Sequence, residues 1–179
     1  RIAMASGASK TILVNGASGG VGSYAVQIAH ILGFKVSAVC SESSAKYVKS
    51  LGADIVIDYQ KNPISTLNGS YGAVFDVNSS LSFFKTRHLL EPGGQFITLL
   101  PSASTIGGLL LSPFLSQKCS LILVKSIAQD LKQVAQWIDE KRLKTPIEKT
   151  YPLKDLGAAF HHYKKGKIKG KIAISISGL

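Results

Sequence analysis

Directly after the apolar run Ile12–Val14, glycines recur in the segment Gly16-Ala-Ser-Gly19-Gly20-Val-Gly22. Glycines so placed let the backbone turn sharply and approach an anion closely, because no Cβ stands in the way. The first N–H groups of a helix that follows then face a phosphate. The chemistry this predicts is the binding of a dinucleotide pyrophosphate, with Ser18, Gly19, Gly20 and Val21 in contact with it. A second set of residues bears on which dinucleotide. An acid at the end of the second strand of such a unit binds both ribose hydroxyls and repels a 2′-phosphate. Here Ser41 holds that place, Glu42 follows it, and Lys46 lies within reach one helical turn on. Asn78 and Ser79 follow a fourth strand, and Leu99 and Leu100 end a fifth. Ligands bind at these carboxyl ends, so the backbone at Asn78 and Leu99 is expected beside the nicotinamide ribose and ring.

The remaining reactive side chains are assigned structural roles. His30, His88, His161 and His162 form neither metal-ligand nor catalytic-triad spacing, and the pair His161-His162 is expected to face solvent on a late helix. Cys40 and Cys119 sit in apolar surroundings with no cysteine or histidine at metal spacing, which points to core thiols in the cytoplasm or another reducing compartment and to no zinc site. Asp76 ends a buried strand and is expected to accept hydrogen bonds from loop amides. Tyr163 and Lys167 have the Tyr-x-x-x-Lys spacing in which a lysine lowers a tyrosine pKa for proton transfer. Gly166 interrupts that segment, and so late a tyrosine is expected far from the nicotinamide, so the match reads as chance.

These residues need elements to position them, and strands and helices alternate to that end. Strands are predicted at Thr11–Asn15, Lys35–Cys40, Ile55–Ile57, Ala73–Val77, Gln95–Leu100 and Ser120–Val124. Helices are predicted over Val21–Leu32, Ser41–Leu51, Ser79 or Ser80 to Leu90, and the amphipathic Gln129–Lys141. This rhythm is that of an α/β, Rossmann-type doubly wound parallel sheet in three layers, α/β/α. Residues 1–146 form the nucleotide-binding domain on this reading. Residues 147–179 follow as a separate segment with a strand, a helix and a strand.

Composition agrees with a globular domain: 179 residues, 45% of them hydrophobic. No apolar run is long enough to span a membrane, since glycines, Ser112 and Pro113 interrupt the longest one. The net charge of +11 is uneven, with ten of 21 basic residues between Lys141 and Lys171 against two acids, Glu148 and Asp155. Tyr163 is the only aromatic in the closing lysine cluster, so nucleic acid is not expected as a partner. A basic face that meets a phosphate or an anionic membrane surface is.

The glycine loop alone fits two enzyme classes. Read as Gly16, Gly19, Gly22 it resembles the medium-chain dehydrogenase/reductase loop; read as Gly16, Gly20, Gly22 it fits the short-chain pattern. Further motifs occur in order: Ser50-Leu-Gly-Ala-Asp54, Val56-Ile-Asp-Tyr59, Phe75-Asp76, Glu91-Pro-Gly-Gly94 and Gly170-Lys-Ile-Ala173. Together they resemble the zinc-independent, zeta-crystallin-like quinone oxidoreductase branch of the medium-chain superfamily. The resemblance implies hydride transfer from NADPH to a quinone or an α,β-unsaturated carbonyl. It also implies a homodimer paired through an edge strand, here Ser120–Val124. It places Tyr59 beside the adenosine phosphate and Lys169-Gly170-Lys171 near the cofactor. A hydroxyl at Ser41, a cation at Lys46 and a phenol at Tyr59 favour NADPH over NADH. The family's N-terminal GroES-like domain has no counterpart in these 179 residues, so the chain is expected to be the cofactor-binding portion of a longer enzyme. A short-chain-type reductase and a non-catalytic NADPH sensor are the alternatives.

Overall fold

The computed structural model describes residues 8–122, 127–166 and 168–176. Its strands are β1 (Thr11–Asn15), β2 (Lys35–Cys40), β3 (Ile55–Asp58), β4 (Tyr71–Asp76), β5 (Leu90–Thr98), β6 (Lys118–Leu121), β7 (Ile147–Pro152) and β8 (Lys171–Ser175). Its helices are α1 (Gly22–Ile31), α2 (Ala45–Ser50), α3 (Phe83–Thr86), α4 (Ala103–Leu111), α5 (Ala128–Asp139) and α6 (Leu156–Lys165). The first six strands form one sheet in the order β3-β2-β1-β4-β5-β6, and every neighbouring pair is parallel. This is the Rossmann order, and chain direction reverses across the sheet between β1 and β4.

Parallel strands buried on both faces are continuously apolar, and β1, β2 and β4 have that character. Ile12 and Val14 pack with Val26 and Ala29 of α1 and Val48 of α2 on one face. Leu13, Val39 and Val74 pack with Phe83 and Phe96 on the other. Two hydrophobic layers thus clamp the sheet. The in-register pairs Asn15 with Val39, Asn15 with Asp76, and Asp76 with Thr98 line up the carboxyl ends as one ledge.

The remaining strands β7 and β8 form a separate two-stranded parallel sheet joined by α6. Hydrogen bonds at Lys144 and at Gly170 help fasten this region to the main sheet. The Gln27 carboxamide on α1 donates to the Lys144 carbonyl at 3.1 Å and accepts from the Lys144 amide at 2.9 Å. The Gly170 amide donates to the Ser18 carbonyl at 2.9 Å. Within the unit, the Tyr151 hydroxyl lies 3.0 Å from His162 Nδ1, and His162 Nε2 lies 3.8 Å from Glu148. Only His161 of the expected solvent-facing pair is exposed; His162 is half-buried against Tyr151 and Glu148 of β7.

Three elements differ from expectation. The helix expected from Ser79 or Ser80 to Leu90 is a single turn, α3, followed by a 3-10 turn at Arg87–Leu89. The cause is upstream: Asp76 accepts the Leu81 amide at 2.7 Å and Ser79 takes a positive φ of 53°, which keeps 79–82 as a loop. Strand β5 begins at Leu90, because Leu90 pairs with Tyr71 across a bulge before Gln95–Thr98 pair regularly. The sixth strand begins earlier than expected, at Lys118, and Leu123 and Val124 lie outside the described residues. Lys167 of the Tyr-x-x-x-Lys spacing lies outside them too.

Candidate functional site

The loop from β1 to α1 is shaped by what its glycines lack. Gly16 has φ +80°, and a Cβ there would run into the side-chain amide of Asn78. A Cβ on Gly22 would overlap the Gly16 carbonyl and come within 2.8 Å of the Ala17 Cα. The turn closes through the Gly19 amide, which donates to the Gly16 carbonyl at 3.2 Å. Val21 occupies the N-cap of α1 and supplies no side-chain cap, and the first turn carries no acid. The amides of Gly20 and Val21 find no acceptor among the described residues. An uncapped helix start with open N–H groups is an anion-binding arrangement.

A cleft of about 780 Å³ opens over this loop at the β1/β4 switch point. Ser18, Gly19, Gly20 and Val21 form its base, with Ser41, Tyr59 and Asn78 around it. All seven were expected at a cofactor. A second hollow of about 390 Å³ continues past Asn15, Tyr59 and Asn78 toward Leu81 and Lys85. The volume lies within the range of small-molecule and cofactor sites.

Beneath the cleft the polar side chains at the ends of β1 and β4 are paired with one another. Asp76, completely buried, accepts from Asn15 Nδ2 at 2.8 Å and from the Leu81 amide at 2.7 Å. Asn15 Nδ2 also donates to the Ser80 hydroxyl at 3.0 Å. Asp76 therefore ties the ends of β1 and β4 and the following loop together, the structural role expected of it. Cys40 lines the cleft, but burial, with a smaller contribution from Asp58, raises its thiol above the ordinary range. Burial pushes Cys119 up to about 11. Neither thiol is set up as a thiolate nucleophile.

At the end of β2 the Ser41 hydroxyl lies 3.0 Å from that of Ser43. Glu42 points elsewhere, to Lys61 Nζ at 2.8 Å, and both side chains are exposed. Lys46 stands exposed on α2 and does not line the cleft. Leu99 packs against the core layer that contains Ile97 and is likewise not part of the lining. The exposed residue there is Leu100, whose amide donates to the Ser79 hydroxyl at 3.2 Å.

Opposite the sheet, the cleft is walled by Tyr163, Lys164, Ile168 and Lys171 of the C-terminal unit. Tyr163 thus lines the cleft from the C-terminal side. The α6–β8 crossover folds back over the glycine loop, a placement that linear spacing does not encode. Lys171 was anticipated as part of a motif near the cofactor and Lys164 only as part of a basic face that meets a phosphate; Ile168 was not singled out. The available signal was Gly170, a glycine just before a strand that opens on a lysine.

A profile described as "zinc-binding dehydrogenase" matches residues 51–174. The chain belongs to that family. Within it the chain falls in the quinone oxidoreductase branch of the medium-chain dehydrogenase/reductase superfamily and corresponds to the C-terminal half. It is 33% identical to a chloroplastic quinone-oxidoreductase homolog of Spinacia oleracea, over 94% of this chain and 53% of that protein. It is 29% identical to a chloroplastic NADPH-dependent alkenal/one oxidoreductase of Arabidopsis thaliana, over 93% of this chain and 41% of that protein. A quinone oxidoreductase structure from Coxiella burnetii shares the fold, with a TM-score of 0.81 at 20% identity over 95% of this chain and 53% of the other. The chain therefore spans about half the length of such relatives. A nicotinamide cofactor accords with this membership. Among the described residues, no group of three His, Cys, Asp or Glu side chains could hold a metal ion. No described helix is long and apolar enough to cross a membrane.

Proposed function

We propose that this member of the family is the NADPH-binding portion of a zinc-independent oxidoreductase that passes hydride to a quinone or an α,β-unsaturated carbonyl. The observation that carries the reading is the cleft at the β1/β4 switch point, floored by open loop amides at Gly20 and Val21. These amides and the α1 dipole would hold the pyrophosphate. The fit is steric as well: Gly16 and Gly22 tolerate no Cβ, so the loop keeps its backbone at the cleft surface. The cofactor, when bound, supplies the hydride. The residues of this chain orient it. Asn78 and the backbone near Leu99 serve the nicotinamide ribose and ring from the ends of β4 and β5, and Tyr59 flanks the adenosine end.

NADPH in preference to NADH rests on the ribose corner. Ser41 faces the cleft where an acid would bind the ribose hydroxyls, and Glu42 is engaged by Lys61. A hydroxyl facing a phosphate donates to it, whereas a carboxylate repels it. Lys46, exposed on α2 one helical turn beyond Ser41, supplies the cation of this corner, while Lys61 holds Glu42 away from it.

The substrate classes follow from the names of the relatives, a quinone-oxidoreductase homolog and an alkenal/one oxidoreductase. The edge position of β6 supports pairing with a second copy of the chain. The test is NADPH oxidation by the full-length protein, followed by absorbance, with a p-benzoquinone and with an alkenone as acceptors. Hydride acceptance by either supports the reading. Inactivity with both, together with zinc-dependent oxidation of a simple alcohol, would overturn it.

A further inference from the structure

Within the C-terminal unit, one cluster of side chains lies outside the cleft lining yet joins the elements that form it. His162 stands on α6 next to Tyr163, a cleft residue. Its Nδ1 lies 3.0 Å from the Tyr151 hydroxyl of β7, and its Nε2 lies 3.8 Å from Glu148 Oε2 of the same strand. The Tyr151 and His162 rings meet edge to face, with centroids 6.0 Å apart. The same Glu148 oxygen accepts the Lys169 amide at 3.1 Å. The next amide, that of Gly170, donates to the Ser18 carbonyl of the glycine loop at 2.9 Å. A continuous path therefore runs from His162 through Glu148 and the bend at Lys169 to the loop that floors the cleft.

The side chains of His162 and Glu148 are 29% and 28% exposed, so their attraction is screened less than that of a surface pair. The other charges around them are placed differently. On β7, Lys149 Nζ lies 4.6 Å from the centre of the Tyr151 ring. On α6, His161, Lys164 and Lys165 are exposed, as are Lys154 and Asp155 in the turn before it. Strand β8 sets Ile172 beside Lys149 and Ile174 beside Tyr151. From α2, Tyr47 approaches Glu148; burial raises its phenol, with smaller effects from Ser23 and Glu148. A neutral imidazole that accepts the Tyr151 hydroxyl at Nδ1 carries its proton on Nε2, toward Glu148. Protonation adds a full positive charge to that ring while Glu148 stays ionised, and turns a long polar contact into an ion pair.

We propose that His162 and Glu148 form a proton-operated latch that draws α6 and the bend at Lys169-Gly170 onto the glycine loop, so that the cleft holds its cofactor more tightly at mildly acid than at mildly alkaline pH. This rests on the cofactor reading above and adds the regulation of that site. The sign follows from the two charges. An ordinary imidazole takes its proton near about pH 6.5 and an ordinary glutamate near about pH 4.3. Both partners are charged between those values. The attraction is lost as pH rises through the imidazole range, and lost again once the carboxylate is protonated.

The test compares the full-length protein at about pH 6 and about pH 8, either side of the imidazole range, with circular dichroism to confirm folding. One readout is hydrogen exchange of the Gly170 amide, corrected for the intrinsic effect of pH. The other is affinity for NADH, which lacks the 2′-phosphate that itself titrates near about pH 6. In the wild type, Gly170 protection and NADH affinity should each be about threefold higher at the lower pH, the worth of one partly screened ion pair. His162→Gln and Glu148→Gln keep hydrogen-bonding groups but cannot form the pair, and either should remove both differences. His161→Gln, at an exposed position on the same helix, should preserve them. A pH response that persists in His162→Gln, or Gly170 protection that follows His162 while NADH affinity does not, would overturn the latch. If Gly170 protection follows His162 but the protein binds no nicotinamide nucleotide at either pH, the cofactor reading fails and the latch stands. If NADH binds equally at both and Gly170 protection is unchanged, the latch fails and the cofactor reading stands.

Discussion

The sheet side and the C-terminal side of the cleft are made in opposite ways. On the sheet side, positions are set by backbone and burial. Gly16 and Gly22 admit no Cβ, Asp76 is fully buried and doubly bonded, and β1 is clamped by apolar layers on both faces. On the C-terminal side, the wall consists of long side chains on exposed elements. Tyr163 is 68% exposed, Lys164 and Lys171 are exposed, and the unit is attached through a few hydrogen bonds. The difference teaches a division of labour. On the proposed function the sheet side would fix where the cofactor lies and could not be altered without cost to the fold, whereas the C-terminal side would set how tightly it is held and could change without unfolding the molecule.

Breaking the sheet side should have the largest consequences. Gly22→Ala places a methyl against the Gly16 carbonyl, and we expect NADPH affinity to fall by about a hundredfold or more as the loop is displaced. Calorimetric titration checks this, and near-normal affinity would show that the loop is more plastic than its packing indicates. Asp76→Ala comes next. It strips the partner from the Leu81 amide and from Asn15 Nδ2 inside a buried site, and a loss of about 2–4 kcal/mol in urea unfolding is expected. A loss under about 0.5 kcal/mol would mean that the tie between β1 and β4 is dispensable. The smallest effect belongs to the exposed edge. Lys61→Ala removes an ion pair exposed to solvent on both sides, so stability should move by less than about 1 kcal/mol. The NADPH-to-NADH affinity ratio should fall, because Glu42 is released beside Ser41. An unchanged ratio would remove Lys61 from the ribose corner.

The same division explains what could be read before the structure was known. The order of β1, the glycine loop, α1 and β2 was legible because doubly buried parallel strands are apolar throughout and end at glycines. Ser18 to Val21, Ser41, Tyr59 and Asn78 were legible because they stand at strand ends, where linear position determines spatial position. Lys46 was placed by proximity along the chain, and Leu99, like Asn78, by its backbone at a strand end. Which way a side chain turns on α2, or at the end of β5, depends on packing, and packing turned Leu99 into the core and left Lys46 outside the cleft lining. Tyr163 and Lys171 were harder still. Their place in the cleft comes from a crossover that returns about 150 residues later to the Ser18 carbonyl. The shortened α3 has a local cause, the Asp76 carboxylate competing for the Leu81 amide, which a helix-capping reading of Ser79 and Ser80 overlooked.

The proposal that this cleft takes NADPH is tested most directly by titrating the purified chain with NADPH and with NADH at the same ionic strength. NADPH should bind at least about tenfold tighter, the worth of one charge-assisted contact to the 2′-phosphate. Equal affinities, or tighter NADH, would contradict it.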